Sequence, residues 1–328
     1  MSDHTDSDTE PSQDMTLLQQ YIDHCTNWGR WGAADELGAL NLVGAEQIKG
    51  AAALVRSGKA IDVTYPYDQS GPQPGGFRAN PQLYVTASGV DHVTGHQDPL
   101  PGGFGPANGF GFSDDVVMMP TQCGTQWDSL SHIFWKGRMY NNRSAGEVTS
   151  KGAAHNGIEQ MTGRIVMRGH LIDMARHHGV ESLDPGHAIE PADLDAYIEA
   201  HGLDIQPGDA LLLRTGFMAA RRNDWGDYAG GDAPGFSLHM APWLRDHDIA
   251  AIATDTWGVE VRPNQIDVFQ PLHVVLLVHG GLAFGEMFDL DALAADCAED
   301  GVHSFMFVAS PLPLTGASGA PVSAVAVK

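Results

Sequence analysis

From Ile61 onwards, the apolar residues of this chain fall into short runs that glycine and proline separate. Short apolar runs between such breakers are typical of buried β-strands. This texture constrains the fold more than any other feature, because it leaves room for only a few helices between the strands. Six runs are predicted to be strands: 83–86, 116–119, 165–172, 210–214, 250–254 and 304–308.

Helical patterns are fewer, and they lie before residue 60 and in two later segments. Segment 191–200 has Pro191 in its first turn and Gly202 after its end, which are typical start and stop signals. Segment 289–299 begins with acidic residues and ends before a glycine, which indicates a second helix. No linker rich in proline, glycine or serine divides the chain. We therefore predict one α/β domain over 61–328, with a helical N-terminal extension over 15–60.

The first fourteen residues contain five acidic residues and no lysine or arginine. A signal peptide needs a basic start and an apolar segment, and this segment has neither. We therefore predict that residues 1–14 form a disordered acidic tail. No apolar stretch of the sequence reaches the ~18 residues of a membrane-spanning helix. These features together predict a cytoplasmic protein.

The composition argues against two classes of partner. The 328-residue chain has 18 lysines and arginines against 41 aspartates and glutamates, a formal net charge of −23. That charge would repel the phosphates of nucleic acids and of anionic membranes. The hydrophobic fraction of 43% is enough to bury a sizeable core. The three cysteines are far apart and have no C-x-x-C spacing, so they predict neither a disulfide framework nor a structural zinc site.

Several common catalytic motifs are absent from the sequence, including G-x-S-x-G, H-E-x-x-H and the EF-hand loop. The densest polar segment is 122–132, which follows the predicted strand 116–119. If the extended backbone continues, Gln122, Gln126 and Asp128 share one face, on which Gly124 leaves a gap. Their oxygen atoms would then converge, with His132 nearby. The alternative is a polar strand end whose amides cap turns.

A second candidate cluster begins at His273 and ends at Glu286, with an apolar run between them. A buried carboxylate is costly unless it is paired. Glu286 is therefore expected to meet a cation, a histidine or a metal. The alternative is a histidine at the edge of the core and a solvent-facing glutamate that opens the last helix.

These two clusters together resemble the signature of a metal-dependent cyclase/hydrolase family that includes bacterial kynurenine formamidase and isatin hydrolase. The family pattern is H-x-G-T-H-x-D-x-x-x-H, followed late in the chain by a histidine and, some twelve or thirteen residues on, a glutamate or glutamine. The residues of this chain that match the pattern in register are Gly124, Thr125, Asp128, His132, His273 and Glu286.

The chain departs from the family pattern at two positions. Gln122 and Gln126 stand where the family has histidines that ligate the metal. An amide oxygen is a weaker ligand than imidazole, so only Asp128 and Glu286 remain as anionic ligands. The resemblance thus implies either a weakly bound divalent metal (Mn²⁺, Mg²⁺ or Zn²⁺, of which the first two suit oxygen donors better) or a site that works without metal. We favour the second.

Without a metal, a general base must take the proton from the attacking water, which typically contributes ~10²–10⁴-fold to the rate. The resemblance implies that His132 and His273 face the substrate and serve this role. Asp128 or Glu286 beside a histidine would orient its ring and favour the imidazolium.

The other expected substrate contacts are polar and aromatic. The amides and the hydroxyl of the first cluster are expected to donate hydrogen bonds to a developing oxyanion. In oligomeric relatives, N-terminal tryptophans can reach a neighbour's pocket. The expected substrate contacts are Gln122, Thr125, Gln126, Trp127, Trp28 and Trp31.

The resemblance implies a swivelling β/β/α fold, in which a mixed β core is flanked by helices, and assembly into a homodimer or homotetramer. We predict a hydrolase that opens an amide, lactam or lactone bond in a small substrate, cyclic ones included. Two alternatives stay open. One is a metal-free lyase or cyclase on the same fold, and the other is a non-catalytic protein that binds a small molecule.

Overall fold

The computed structural model describes residues 12–98, 102 and 105–328. Most of its strands belong to one large mixed sheet, and the others form short two-stranded sheets. The strands are β1 Ala60–Asp62, β2 Gln82–Ala87, β3 Asp114–Met118, β4 Gln126–Asp128, β5 Arg138–Met139, β6 Arg143–Ser144, β7 Val148–Thr149, β8 Gly152–Ala153, β9 Val166–Asp173, β10 Ala188–Ile189, β11 Ala210–Arg214, β12 Gly235–Phe236, β13 Ala251–Thr254, β14 Ala283–Glu286, β15 Ser304–Val308, β16 Gly319–Pro321 and β17 Val325–Val327.

The large sheet has nine strands among the described residues, in the order β1-β17-β15-β9-β11-β13-β14-β4-β16. The neighbours from β9 to β14 run parallel, and every other neighbouring pair is antiparallel. The sheet curls, since Thr64, just beyond β1, bridges to Phe288, just beyond β14. Because β13 and β14 are parallel, their carboxyl ends meet at one edge of the sheet, where α/β proteins usually bind ligands.

The helices connect and cover the strands of this sheet. Helices α2 and α8 pack against β9, and α1 packs against α7 and the π-helix. The α-helices of the described residues are α1 Gln13–Cys25, α2 Ala45–Ala52, α3 Gly89–Val93, α4 Met174–His177, α5 Pro191–His201, α6 Phe217–Arg221, α7 Met240–Asp246 and α8 Asp291–Asp300, and a π-helix spans His273–Gly280. Short 3₁₀ helices lie at Gly38–Leu42, Pro106–Asn108, Tyr140–Asn142, Ala145–Glu147 and Ile158–Met161.

The predicted helix boundaries follow from their terminal residues. Pro191 is the first residue of α5, where its missing N–H has no helical partner to lose. Gly202 follows the same helix with a φ of 60°, a left-handed conformation that glycine adopts without a steric cost. The two later predicted helices are therefore confirmed, as α5 and α8. The six predicted strands are confirmed as β2, β3, β9, β11, β13 and β15.

The expected continuous extended segment from 116 to 128 is wrong. Strand β3 ends at Met118 and pairs only with β2, in a separate two-stranded sheet. The chain then turns over residues 121–125 before β4 begins at Gln126 in the large sheet. Pro120, which has no N–H to donate to a strand ladder, lies at this break.

The N-terminal segment packs on the same core as the rest of the chain. Leu18 and Ile22 of α1 belong to one large apolar cluster that extends to the last strand. Trp28 stacks on His279 of the π-helix, with ring centroids 4.5 Å apart, and its indole N–H donates to the Val278 carbonyl. Residues 1–11 of the predicted tail lie outside the described residues, and Gln13 and Asp14 already belong to α1. Among the helices that the structure describes, none combines the length and hydropathy that a membrane span requires.

His279 gives the fold a pH-dependent stability. Burial lowers the pKa of its imidazole from 6.5 to about 4, the charge of Asp23 opposes this shift, and that of Lys136 adds to it. Between those two pH values the unfolded chain binds a proton that the folded chain does not. We therefore expect the titration of His279 to lower the free energy of unfolding by about 2 kcal/mol when the pH falls from 7 to 5.

The measurement is urea unfolding of the wild type and of His279→Phe at pH 7 and pH 5. Phenylalanine keeps a ring against Trp28 and removes the titrating group. The variant should therefore lose less stability than the wild type over this pH range. An equal loss in both proteins would show that His279 does not titrate as inferred.

Candidate active site

A cavity of about 440 Å³ opens at the carboxyl ends of β13 and β14. Its base is polar and its walls are largely apolar, which is typical of small-molecule sites. The residues that line it are Gln73, Pro74, Gly75, Phe77, Arg78, Asp128, His132, Ile133, Ala229, Gly230, Trp257, Phe269, Gln270, His273, Glu286 and Met287.

Strand β4 brings Asp128 to the base of this cavity and Gln126 to a buried position beside it. It lies between β14 and β16, and its register places Gln126 directly opposite Glu286. The Gln126 amide N–H donates to Glu286 Oε2 at 2.7 Å and lies 3.4 Å from Asp128 Oδ1. One amide therefore holds two buried carboxylates in fixed positions.

His273 is held by a carboxylate that the sequence patterns did not reveal. His273 Nδ1 lies 2.5 Å from Glu260 Oε1, and the same carboxylate accepts the backbone N–H groups of Leu272 and His273 at 3.0 Å. Glu260 thus binds the start of the π-helix and fixes the imidazole. Nε2 then points to the other carboxylates, 3.5 Å from Glu286 Oε1 and 4.0 Å from Asp128 Oδ2.

These contacts set the charge state of His273. Burial by itself lowers the pKa of the imidazole, but the hydrogen bonds and charges of Glu260 and Glu286 outweigh it and raise the pKa to about 10. Burial also raises the pKa of the Asp128 carboxyl to about 6, with His132 opposing and Glu286 adding to the rise. The carboxylates around His273 therefore favour its imidazolium form.

His132 differs from His273 in its surroundings. Its Nε2 lies 3.8 Å from Asp128 Oδ1, and its side chain keeps 20% of its surface exposed to the cavity. Burial lowers the pKa of the His132 imidazole, Asp128 opposes this shift, and the charges of Arg78 and His273 add to it. His132 is therefore neutral at pH 7, which is the state that a general base requires.

The site thus brings together the four residues predicted to be catalytic. Asp128 contacts both histidines and Glu286 contacts His273. Gln126 of β4 bonds to Glu286 of β14, which lies 160 residues further along the sequence. The two predicted clusters therefore form one site, and the alternative of a solvent-facing Glu286 is wrong because this side chain is buried.

The donor set of the site fits a divalent cation. Ligand atoms of Asp128, His273 and Glu286 all lie within 4.8 Å of one another. Asp128 Oδ2 and Gln126 Oε1 are buried and find no hydrogen-bond partner in the described part of the chain. Oxygen donors with one imidazole suit Mn²⁺ and Mg²⁺, and zinc also accepts them.

Two predicted polar contacts lie elsewhere. Gln122 lies in the turn before β4, its amide donates to the Ser318 hydroxyl at 3.1 Å, and it is not among the residues that line the cavity. The Thr125 hydroxyl donates to the Met287 carbonyl at 2.6 Å and accepts the Tyr65 N–H. Its proton is therefore not free for an oxyanion. The Gln126 amide N–H groups also donate to the carboxylates rather than to substrate.

The predicted aromatic contacts are also corrected. Trp127 is fully buried, because alternation along β4 points it away from Asp128 and into the core. Its indole N–H donates to the Ala309 carbonyl, and its rings contact Phe288 and Phe307. It cannot contact substrate from there.

The N-terminal tryptophans do not line the cavity of their own chain. Trp28 stacks on His279, and Trp31 lies under the guanidinium of Arg30. Whether they reach the pocket of a neighbouring copy stays a prediction.

Two polar residues of the site were missed by sequence reasoning. Glu260 lies thirteen residues before His273, in a segment with no strand or helix pattern. Arg78 lines the cavity and lies in a loop rich in glycine and proline. No charged residue is adjacent to it in the sequence. No signal identified Arg78, whereas an acidic residue between hydrophobic neighbours, as in Val259-Glu260-Val261, indicates a buried carboxylate.

Comparisons with known proteins agree with the fold. The model of the Cyclase family, described as "Putative cyclase", matches residues 61–261. This chain belongs to the cyclase family. A crystal structure described as a novel cyclase has a TM-score of 0.84 and 33% sequence identity, covering 94% of this chain and 99% of that chain. The predicted fold, a mixed β core flanked by helices, is confirmed.

Two further solved structures are less similar to this chain in sequence. Isatin hydrolase A from Labrenzia aggregata, solved with benzyl benzoate, has a TM-score of 0.59 at 18% identity and covers 86% of this chain and 98% of that chain. Isatin hydrolase A from Ralstonia solanacearum has a TM-score of 0.58 at 16% identity, covering 82% and 91%. At such identities the likeness shows the fold alone. Among curated proteins, none matches this sequence.

Proposed function

We propose that this cyclase-family chain is an enzyme that hydrolyses an amide, lactam or lactone bond in a small substrate. The observation that carries the proposal is His132, a neutral imidazole at the cavity wall beside a buried carboxylate. A neutral imidazole accepts a proton from water and returns it to a leaving group. The apolar walls of the cavity suit the carbon skeleton of such a substrate.

The reaction proceeds in two steps with His132 as base and then acid. His132 removes a proton from water while the water oxygen adds to the carbonyl carbon, which leaves a tetrahedral oxyanion. The resulting imidazolium then protonates the departing nitrogen or oxygen as its bond to carbon breaks. The products are a carboxylic acid and an amine or alcohol, joined in one molecule when the substrate is cyclic.

His273 and its carboxylates prepare the site for this charge movement. Glu260 fixes the imidazolium through Nδ1, so Nε2–H faces the base of the cavity. This cation offsets part of the negative charge of Asp128 and Glu286, so an oxyanion that develops near them is repelled less. Asp128, 3.8 Å from His132, stabilises the imidazolium that forms there.

The residues of the base would also hold a metal. A divalent cation bound by Asp128, His273 and Glu286 would take the place of the Nε2 proton of His273, and would lower the pKa of water and polarise the scissile carbonyl. Gln126 offers Oε1 as a neutral oxygen at the same place. Because Gln126 stands where the family pattern has a histidine, the metal would have a weaker ligand at this position.

Hydrolysis is tested by isotope incorporation. The full chain is incubated in H₂¹⁸O with a panel of aryl formamides, lactams and lactones. The expected result is one ¹⁸O atom in the carboxylate product. Turnover without ¹⁸O would support the metal-free lyase or cyclase instead. Thermal stabilisation by panel compounds without any turnover would support the binding protein.

We also propose that the protein is a cytoplasmic homodimer or homotetramer. Its three cysteines are buried free thiols, as is usual in a reducing compartment. The β2–β3 hairpin supports the assembly. A two-stranded hairpin is marginally stable alone in water, and this one exposes apolar side chains on both faces. Each is more than half exposed: Leu83, Tyr84, Val85, Val116, Val117 and Met118.

Charge on this hairpin is expected to break the assembly. Leu83 and Val117 are directly opposite each other in the hairpin. Leu83→Glu should therefore shift the protein to a monomer in sedimentation velocity. Val180→Glu, at an exposed valine away from the hairpin, is the matched control and should leave the oligomer intact. A monomeric wild type, or an unchanged oligomer in Leu83→Glu, would contradict the proposal.

A further inference from the structure

Arg78 stands out among the residues that line the cavity, because it is their only lysine or arginine in the described part of the chain. It lies in the loop between β1 and β2, next to Phe77, whose side chain is 95% exposed. Within the described residues the guanidinium makes no hydrogen bond or ion pair. Its charge nevertheless reaches the base of the cavity, where it acts on both Asp128 and His132.

An unpaired guanidinium at a cavity wall is suited to bind an anion. In the described part of the chain, eight other arginines form ion pairs with carboxylates, as Arg30 does with Asp248 and Arg214 with Asp173. The planar fork of arginine matches a carboxylate with two parallel hydrogen bonds. Within the described residues the guanidinium of Arg78 lies over the exposed Phe77 ring, 5.6 Å from its centroid, and its N–H groups remain available for a ligand.

The cavity has negatively charged groups at its base and a positively charged group, Arg78, on its wall. The buried carboxylates of Asp128 and Glu286 lie at the base, and would repel an anionic group placed there. Phe77, Trp257 and Phe269 provide apolar surface on the walls. A molecule with an anionic end and an apolar body would therefore bind with that end towards Arg78 and its scissile carbonyl towards His132.

We propose that Arg78 is a specificity-determining residue, and that the substrates are amides, lactams or lactones that carry a carboxylate on an apolar body. This inference rests on the proposed hydrolysis and names its substrate class. The net charge of −23 favours neutral or cationic ligands over the whole surface. A local charge inside a cavity outweighs that distant field, which water and salt screen.

Binding tests the inference without requiring turnover. Calorimetric titration of the full chain compares benzoate with benzamide, which has nearly the same shape and no charge. The wild type should bind benzoate about 10-fold or more tightly than benzamide. Arg78→Gln should remove this preference and leave the affinity for benzamide unchanged. Arg78→Lys should retain part of it, because lysine keeps the charge and loses the fork.

The control is Arg56→Gln, which changes the net charge equally at an exposed position outside the cavity. It should retain the wild-type preference. Equal affinities of the wild type for benzoate and benzamide, no binding of benzoate at millimolar concentration, or a preference that persists in Arg78→Gln would each overturn the proposal. None of these results depends on hydrolysis, which the ¹⁸O experiment tests separately.

Steady-state kinetics show whether Arg78 binds a carboxylate that the substrate already carries or the carboxylate that hydrolysis produces. The pair is 4-formamidobenzoate and its methyl ester. Arg78→Gln should raise KM for the acid about 10-fold or more relative to KM for the ester, whereas any change in kcat that arises through His132 should be the same for both substrates. Equal losses for acid and ester would overturn substrate recognition and assign Arg78 to the carboxylate formed in the reaction.

Discussion

Replacing His132 by glutamine is expected to lower kcat by about 10²–10⁴-fold, the usual contribution of a general base. Glutamine keeps a polar group near Asp128 but cannot accept a proton at neutral pH. Because the proposed role of His132 is proton transfer, the loss should appear in kcat rather than in KM. The measurement is steady-state hydrolysis of the best substrate of the ¹⁸O panel, with the thermal unfolding midpoint recorded for each protein.

The matched control is His155→Gln. His155 bonds to Glu36 outside the cavity, and 43% of its side chain is exposed. This variant should keep the wild-type kcat. A His132→Gln protein that unfolds normally and retains more than about a tenth of the activity would show that another group activates the water.

The second large effect concerns stability rather than catalysis. Trp127→Ala is expected to lower the free energy of unfolding by about 3–5 kcal/mol, since it removes a fully buried indole from the core. The site of this residue is closely filled. Gly285 of β14 is paired with Trp127 of β4, and a Cβ added to Gly285 would lie 2.9 Å from the Trp127 ring. Urea unfolding measures the loss.

Trp127→Phe provides a graded comparison, and it keeps the test valid if the alanine variant fails to fold. Phenylalanine keeps most of the ring volume but removes the N–H that donates to the Ala309 carbonyl. Leaving that buried carbonyl unpaired is expected to cost about 1–3 kcal/mol. If either variant kept wild-type stability and showed only a raised KM, Trp127 would be a substrate contact after all.

The elements of the fold were predictable wherever the deciding interactions are local. Pro191 and Gly202 act within one helical turn of themselves, so they locate α5 in any context. The continuous apolar runs of β11 and β13 locate the buried parallel strands for a similar reason. By contrast, the polar segment after β3 has no such local determinant, and its extended continuation was wrong.

The sequence by itself identified the candidate residues of the site. Asp128, His132, His273 and Glu286 were identified from a spaced pattern, and the fold brings them within contact distance. A spacing pattern cannot show which face a side chain occupies, because alternation holds only while the strand continues. Gln122 and Gln126, four residues apart, were therefore treated alike, although only Gln126 lies in β4.

Tertiary structure alone decided the electrostatics of the site. Glu260 fixes His273 as a buried cation, and Arg78 supplies the positive charge of the cavity wall. Neither belongs to a local motif, because each acts through space on residues far away in the sequence. Protonation depends on distance and burial, and these exist only after the chain has folded. Residue identity therefore came from the sequence, and charge state and orientation came from the fold.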